Sequence, residues 1–196
     1  MRLLPIAAAL AIALSATSVA ADFSKQESAD FDRLSDSLNA IHSLKAEFTQ
    51  IDPNGAVEQG EAYIQKPGKM RFEYKPPSNV LVVSDGIDVA VFNRKLNTAD
   101  RYPLASTPLN ILLSDHVNLQ GNRNVIGIDH RPGEIVVHAR SNDRRVTGNI
   151  TIVFSDPGFA LKQWTVVDAQ GLATTVTLHD VQTGVTLEPE LFLTHG

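Results

Sequence analysis

Histidine is the residue in this chain best suited to bind a metal ion or to move a proton, and the sequence holds six of them. None is spaced as in the HxH, HxxxH or HExxH patterns, which place two imidazoles on one metal ion. A metal site would therefore need partners distant in sequence, and we predict surface or strand-edge histidines and no metal centre. The six are His42, His116, His130, His138, His179 and His195.

Nucleophilic and phosphate-binding motifs are also missing from the sequence. The chain contains no cysteine, which excludes thiolate nucleophiles, disulfides, iron–sulfur clusters and cysteine-based zinc sites. Ser84 precedes Asp85-Gly86 without a surrounding GxSxG elbow, so a hairpin turn explains it better than catalysis does. Neither GxGxxG nor a GxxxxGKS or GxxxxGKT loop occurs. We predict no enzyme and no cofactor, with a secreted hydrolase of dispersed catalytic residues as an alternative.

The composition is that of an ordinary globular domain. The 196 residues are 43% hydrophobic, and 17 Lys+Arg against 22 Asp+Glu give a formal net charge of −5, which disfavours nucleic-acid binding. Some basic residues nevertheless gather around one predicted turn and on two early strands. They are either solvated or form a patch for an acidic partner or a membrane surface. These basic residues are Arg140, Arg144, Arg145, Lys66, Lys69, Arg71 and Lys75.

The N-terminal segment has the pattern of a secretory signal peptide. Arg2 is followed by an apolar run from Leu3 to Leu14 and by small residues at Ser18-Val19-Ala20. We expect residues 1–21 to be a signal peptide and residues 22–196 to be a single domain. Because the chain has no cysteine to carry acyl groups of its own, we expect an exported, unanchored, soluble product.

One helix is predicted before a long series of strands. Phe31, Leu34, Leu38 and Ile41 are spaced by three or four residues, which indicates an amphipathic helix over about residues 24–42. From Leu44 the period changes to two, which indicates strands. Thr107-Pro108 is typical of a helix N-cap followed by proline, and it starts a short apolar helix.

The strand pattern predicts an antiparallel meander. Short turns separate about ten or eleven strands, with no βαβ rhythm, and so many strands in one sheet should curl strongly. A helical turn over Leu187–Leu191 and a last strand through Phe192 are predicted at the end. The strands are expected at about 44–49, 60–66, 69–75, 80–83, 87–92, 124–130, 134–140, 146–155, 159–168 and 172–182.

Several of these segments together resemble the LolA family of periplasmic lipoprotein carriers. Residues 41–50 are similar to that family's junction between helix and first strand, and residues 60–74 to the next two strands. Ser84-Asp85-Gly86 with Val91-Phe92-Asn93 resembles the following hairpin, and Thr107-Pro108-Leu109 resembles the lid helix. Order and spacing agree over most of the chain, most specifically over residues 41–114.

The resemblance implies a mainly β (α+β) fold, in which a strongly curved antiparallel sheet forms an incomplete β-barrel covered by a helical lid. It also implies that the protein is not an enzyme and that its interior is a hydrophobic cavity, which encloses acyl chains. Such a carrier accepts triacylated lipoproteins from an inner-membrane ABC-type releasing complex and delivers them to an outer-membrane receptor. An envelope-stress sensor that binds lipid on a similar scaffold is the nearest alternative.

The alternating apolar residues of the early strands are the expected cavity lining, and the apolar residues after Thr107 the inner surface of the lid. An ordinary filled core would show the same pattern, so the residues alone do not distinguish a filled interior from a hollow one. The expected lining is Phe48, Ala62, Ile64, Met70, Phe72, Tyr74, Leu81, Val83, Val89 and Val91, and the expected lid is Leu109, Ile111, Leu112 and Leu113.

Lys66 stands where the family pattern commonly has an arginine that bonds lid carbonyls and holds the empty cavity shut. The resemblance therefore implies that Lys66 is the lid latch. Alternation places it on the same face as Ile64, where a buried charge needs a partner. Lysine lacks the planar fork of arginine, so the latch would be looser or differently arranged. The alternative is that Lys66 ends the strand and reaches solvent.

Overall fold

A computed structural model describes residues 23–140 and 148–194 of the chain. The predicted signal peptide, together with Arg144, Arg145 and His195, lies outside the described residues. Within the described ranges, no helix is both long enough and apolar enough to cross a membrane.

The described chain consists of one long helix, eleven strands and short helical segments. The helices are α1 (Lys25–Ala40) and α2 (Asn110–Leu113), with 3-10 turns at Leu104–Ser106 and Pro189–Phe192. The strands are β1 (Ser43–Ile51), β2 (Val57–Gln65), β3 (Lys69–Tyr74), β4 (Val80–Asp85), β5 (Asp88–Asn93), β6 (Thr98–Pro103), β7 (Val125–Arg131), β8 (Glu134–Arg140), β9 (Asn149–Ser155), β10 (Leu161–Val167) and β11 (Ala173–Thr183).

All eleven strands form one antiparallel sheet. Its order is β6-β5-β4-β3-β2-β1-β11-β10-β9-β8-β7, so every two paired strands are consecutive in sequence except β1 and β11. The sheet ends at β6 and β7, and its curve therefore stays open along one side. This confirms the predicted incomplete barrel of mainly β structure.

Helix α1 begins with a capping box and packs one face into the concave side of the sheet. The Ser24 hydroxyl accepts a hydrogen bond from the Glu27 amide, and the Glu27 carboxylate accepts one from the Ser24 amide. Phe31, Leu34 and Leu38 are buried, as the predicted stripe requires. The helix ends at Ala40, close to the predicted boundary, and β1 begins at Ser43, after two intervening residues.

The ends of the sheet differ from the prediction in two ways: one strand was missed and one expected strand was wrong. Residues 98–103 form the edge strand β6, which the sequence pattern missed because every residue in it is exposed and no apolar face marks it. The expected last strand through Phe192 is instead the 3-10 turn Pro189–Phe192.

The C-terminal segment crosses the convex face of the sheet. The Ser43 hydroxyl donates to the Val185 carbonyl, Arg71 donates to the Leu191 carbonyl, and the Thr194 hydroxyl donates to the Asp85 carboxylate. The segment therefore spans β1, β3 and β4, and it helps to bury apolar residues on the outer side of the sheet.

Candidate functional site

The chain between β6 and β7 forms a lid over the concave face. It begins at Leu104, whose amide donates to the Ile87 carbonyl at 2.8 Å. At the other end of α2, the Leu113 carbonyl accepts a hydrogen bond of 2.8 Å from the Gly68 amide in the β2–β3 turn. Gly68 has φ +73°, and a Cβ at this position would lie 2.6 Å from the Cα of Gly86, so the turn favours glycine here. The lid is thus fastened to the sheet at both ends by backbone hydrogen bonds.

The start of the lid helix differs from the expected N-cap at Thr107. The Thr107 hydroxyl donates backwards to the Leu104 carbonyl at 2.9 Å, which closes the 3-10 turn. Helix α2 begins at Asn110 after Leu109, without a side-chain cap. The lid is consequently two short helical turns joined by Thr107-Pro108, and neither turn is long enough to be stable alone.

The segment that follows the lid is fixed to α1. The Asn39 side chain donates to the Val117 carbonyl at 2.9 Å and accepts from the Val117 amide at 2.8 Å. One turn earlier on the helix, the buried Ser35 hydroxyl accepts from the Leu119 amide at 3.0 Å. These bonds hold residues 117–119 against α1, directly after the lid.

An apolar cavity of about 430 Å³ lies between the lid and the sheet. It opens where β1, β3, β10 and β11 approach the first half of the lid. We name it the mouth cavity, and its lining is Gln50, Met70, Phe72, Tyr74, Val82, Tyr102, Pro103, Ser106, Thr107, Pro108, Leu109, Trp164, Val166, Asp168, Thr174 and Val176.

Beneath α2 the space narrows to about 20 Å³, which is little more than one water molecule. This narrow space, the throat, shares four residues with the mouth cavity: Met70, Phe72, Leu109 and Trp164. The lid therefore closes the inner part of the apolar interior. The other residues of the throat are Leu38, Ile41, Leu44, Ile64, Lys66, Leu112, Leu113 and Leu161.

Aromatic rings form the floor of the mouth cavity. Phe48 meets Phe72 and Tyr74 edge to face, with ring centroids 5.1 and 5.0 Å apart, and Phe72 meets Trp164 at 6.0 Å. Gly60 makes this arrangement possible, because a Cβ there would lie 2.5 Å from the Phe48 ring. Phe72, Tyr74 and Trp164 line the cavity and Phe48 packs beneath them in the core, so the floor offers a large apolar surface.

A neutral polar pair lies at the rim of the mouth cavity. The Tyr74 hydroxyl donates to the Gln50 side-chain oxygen at 2.6 Å. Burial raises the pKa of Tyr74, so the phenol stays protonated at physiological pH. The pair satisfies both groups without placing a charge on the apolar path.

Lys66 points inward, as alternation predicts, but it contacts α1 instead of the expected lid carbonyls. Its ammonium donates to the Leu38 carbonyl at 2.7 Å, at the C-terminal end of the helix, where a cation is favourable. Burial lowers the pKa of Lys66 to about 8, and the charge of Asp115 opposes that shift. Lys66 therefore neither bonds to the lid nor extends into solvent, the two positions expected for it. It bonds to the helix instead.

The structure brings most of the expected lining residues to the concave face. Phe48, Ala62, Ile64, Met70, Phe72, Tyr74 and Val89 are buried in the core cluster, and Val91 shares a face with Val82. Leu109, Leu112 and Leu113 border the throat.

Two expected placements were wrong. Leu81 and Val83 pair with Glu73 and Arg71, so they face the convex side, where the C-terminal segment covers the sheet. The inward apolar residues of β4 are Val80 and Val82, and Val82 lies opposite Phe72. Ile111 packs against the core as expected, but it borders a polar depression beside β8 and β9 instead of the throat.

Strands β10 and β11 supply lining residues that the sequence interpretation did not select. Trp164, Val166 and Val176 line the mouth cavity, and Leu161 lines the throat. Their alternation with polar neighbours could have identified them, since it is the same signal used for the early strands.

The remaining candidates for chemistry have structural roles. The Ser84 hydroxyl accepts from the Gly86 amide inside the β4–β5 hairpin. His130 and His138 contact Asp30 and Asp129, and no group of three potential metal ligands occurs within residues 23–140 and 148–194. Of the basic residues, Arg71 is paired with Glu73 and Lys75 with Glu47.

Comparisons with known proteins agree with this architecture. A family profile described as "Outer membrane lipoprotein carrier protein LolA" matches residues 39–195. A protein of Methylococcus capsulatus named outer-membrane lipoprotein carrier protein is 31% identical over 179 residues, covering 86% of this chain and 85% of its own. One of the same name from Idiomarina loihiensis is 27% identical over 180 residues, covering 87% and 86%.

A solved structure has the same fold at low sequence identity. A DUF1329 family protein from Desulfovibrio piger superposes with a TM-score of 0.51 at 12% identity, covering 86% of this chain and 96% of the other. At this identity the likeness concerns the fold alone.

Proposed function

This chain belongs to the LolA family of outer-membrane lipoprotein carrier proteins, and from that membership we propose that it encloses the acyl chains of lipoproteins between its sheet and its lid. Its cargo is triacylated lipoprotein. The chain takes this cargo from an ABC-type releasing complex in the inner membrane, crosses the periplasm with it, and passes it to a receptor on the outer membrane. No catalytic step is needed.

The observation that carries the proposal is the apolar mouth cavity beneath a lid that short backbone contacts hold in place. Burying each methylene is worth about 0.8 kcal/mol, so a chain of about fifteen methylenes costs on the order of 12 kcal/mol to expose to water. A carrier must therefore enclose the chain. Since a 150 Å³ cavity holds one benzene ring, the mouth cavity has room for roughly one chain of about sixteen carbons.

Loading more than one chain requires the lid to move. The throat is nearly filled, so further methylenes displace α2 from the sheet. The Gly68–Leu113 hydrogen bond is the contact that must break, while Asn39 keeps the following segment on α1. Because the lid returns when cargo leaves, closure competes with the acyl chains and limits how tightly they are held.

The sequence contains one tryptophan, Trp164, which lines both the mouth cavity and the throat. Its fluorescence therefore reports on the interior without a label. We expect a triacylated lipopeptide with brominated acyl chains to quench Trp164, and the same lipopeptide without bromine to bind without quenching. Unchanged fluorescence with the brominated cargo, under conditions in which the cargo is dispersed, would overturn the proposal.

Neighbouring residues of β4 provide a matched pair of variants. Val82→Phe places a ring in the mouth cavity, whereas Leu81→Phe places it on the convex face, in a surface depression with room for it. We expect the Val82 variant to bind lipopeptide at least tenfold more weakly and the Leu81 variant to bind as the parent protein does. Equal binding by the two variants would contradict the assignment of the cavity.

A further inference from the structure

A second apolar depression, of about 400 Å³, lies at the opposite end of the concave face. It is bounded by the end of α1 at Ala40 and by Leu44, Leu161, Leu178 and Val181 of the sheet. We name it the tail groove. Neither the proposed function nor the family comparison assigns it a role.

The tail groove continues the interior instead of being a separate surface feature. Ile41, Leu44 and Leu161 border both the groove and the throat. The throat in turn shares Trp164 and other residues with the mouth cavity. An apolar path therefore runs from mouth to groove, and it is narrowed only where α2 covers it.

A bulge in β11 keeps the groove apolar. Phe48 lies opposite Leu178 and Leu44 lies opposite Thr183, so β11 has one residue more than β1 over this stretch. Asp180, with φ 50°, takes up the extra residue. Val181 is thereby returned to the concave face, where it is 42% exposed to solvent.

The length of the path matches that of an acyl chain. Gln50 borders the mouth cavity and Leu44 borders the groove, and these two residues are six positions apart on β1, or about 20 Å at roughly 3.3 Å per residue. A chain of about fifteen methylenes, each advancing somewhat less than the ~1.5 Å of a carbon–carbon bond, also spans about 20 Å.

The charges around the groove disfavour a head group as its occupant. Lys162 is the charged residue in the groove lining, and its ammonium is paired with the Glu134 carboxylate at 2.8 Å. The rest of the lining offers side chains suited to hydrocarbon. The apolar end of an acyl chain can pack against this surface. A phosphate or carboxylate would lack a free cation, because the Lys162 ammonium is already paired with Glu134.

We propose that the tail groove receives the terminal methylenes of a second acyl chain of the cargo, which enters through the mouth cavity beside the first and passes beneath the displaced lid. This inference rests on the proposed function and adds a direction to it. The glyceryl end of the cargo stays at the Gln50 end of the barrel, and the methyl end reaches the end of α1. The mouth and groove are then two ends of one passage.

Because the chain contains no cysteine, a single introduced thiol can be labelled without background. Val181→Cys carries a fluorophore into the groove, and Val57→Cys carries the same fluorophore to an exposed apolar site at the other end of the sheet. The cargo is a lipopeptide with a nitroxide quencher near either the glyceryl or the methyl end of its chains. We expect the methyl-end quencher to lower the fluorescence of the Val181 label more than the glyceryl-end quencher does. The methyl-end quencher should leave the Val57 label unchanged.

The fluorescence of Trp164 separates failure of this inference from failure of the carrier function. Quenching of Trp164 with no quenching at Val181 would overturn the tail groove while leaving acyl binding intact. No quenching at either position would overturn both. Stronger quenching at Val181 by the glyceryl-end probe would reverse the proposed direction, and so would also overturn it.

Chain-length dependence gives a second test that does not need a label. Ala40→Phe fills the groove from an exposed position at the end of α1, and Ala56→Phe adds the same ring in the β1–β2 turn. Each methylene kept out of the groove should lower affinity about fourfold. We expect Ala40→Phe to weaken binding of a long-chain cargo at least tenfold and to leave a chain of half that length unaffected. Equal weakening of both chains would contradict the groove.

Discussion

The concave face of the sheet is filled beneath the middle of α1, around Phe31 and Leu34, and hollow beneath the first half of the lid. On the α1 side, Phe31 and Leu34 pack with Ile152 and Phe154 in a core whose members are fully buried. On the lid side, a cavity of about 430 Å³ separates Leu109 from the floor of the sheet. Both halves use the same alternating apolar pattern, but only one of them is packed to the density usual for a protein interior.

The difference between the halves lies in what covers them. Helix α1 is a capped, sixteen-residue element, whereas the lid consists of two short turns fastened by single backbone hydrogen bonds. A rigid cover permits dense packing and supplies the stability of the fold. A weakly held cover leaves space that cargo can fill, because displacing it breaks few contacts.

Truncation should separate the two halves most clearly. Phe154→Ala removes a fully buried ring from the filled half, and we expect the free energy of unfolding to fall by about 3–5 kcal/mol. Leu109→Ala removes a half-buried side chain beside an existing cavity, and we expect a loss of only about 1 kcal/mol. Urea unfolding monitored by circular dichroism measures both. Equal losses would mean that the lid side is packed as tightly as the α1 side.

Adding a methyl group should act in opposite directions in the two halves. Val137→Ile overfills the core beneath α1 and should cost about 1–3 kcal/mol of stability. Val176→Ile extends into the mouth cavity and should stabilise the empty protein by up to about 0.8 kcal/mol. The same variant should bind lipopeptide more weakly, since the added group occupies space meant for cargo. Destabilisation by both substitutions would contradict the hollow half.

Much of the fold could be predicted from local patterns. The stripe from Phe31 to Leu38 gave the helix and its buried face, and alternation gave ten strands and the inward side of β1 to β3. These elements have one apolar and one polar face, so the period alone sets which way each residue points. The interior itself could not be predicted, because apolar lining and apolar core have the same sequence signature.

The errors arose where tertiary contacts decide the outcome. Val80 to Val83 is apolar on both faces, and the C-terminal segment that covers Val83 lies more than a hundred residues away. Strand β6 has no apolar face and owes its conformation to pairing with β5. The partner of Lys66 is a backbone carbonyl of α1, and no side-chain pattern marks such an acceptor.

Lys66 lies at the boundary between the two halves, since it borders the throat and bonds to the end of α1. Its pKa is about 8 in the folded protein against 10.5 for an unperturbed lysine. Between these values the unfolded chain holds a proton that the folded chain has released. Stability therefore rises with pH across this window, while below about pH 8 the burial penalty on the charged form is present in full.

We expect this dependence to appear as a difference between the parent protein and Lys66→Met. Urea unfolding from about pH 6 to pH 10 should give a constant difference in stability up to about pH 8, after which the parent protein gains on the variant. Asp115, the charged neighbour that opposes the shift, is common to both proteins. A difference that stays flat to pH 10 would mean that the ammonium is solvated, and that the boundary between the filled and hollow halves admits water.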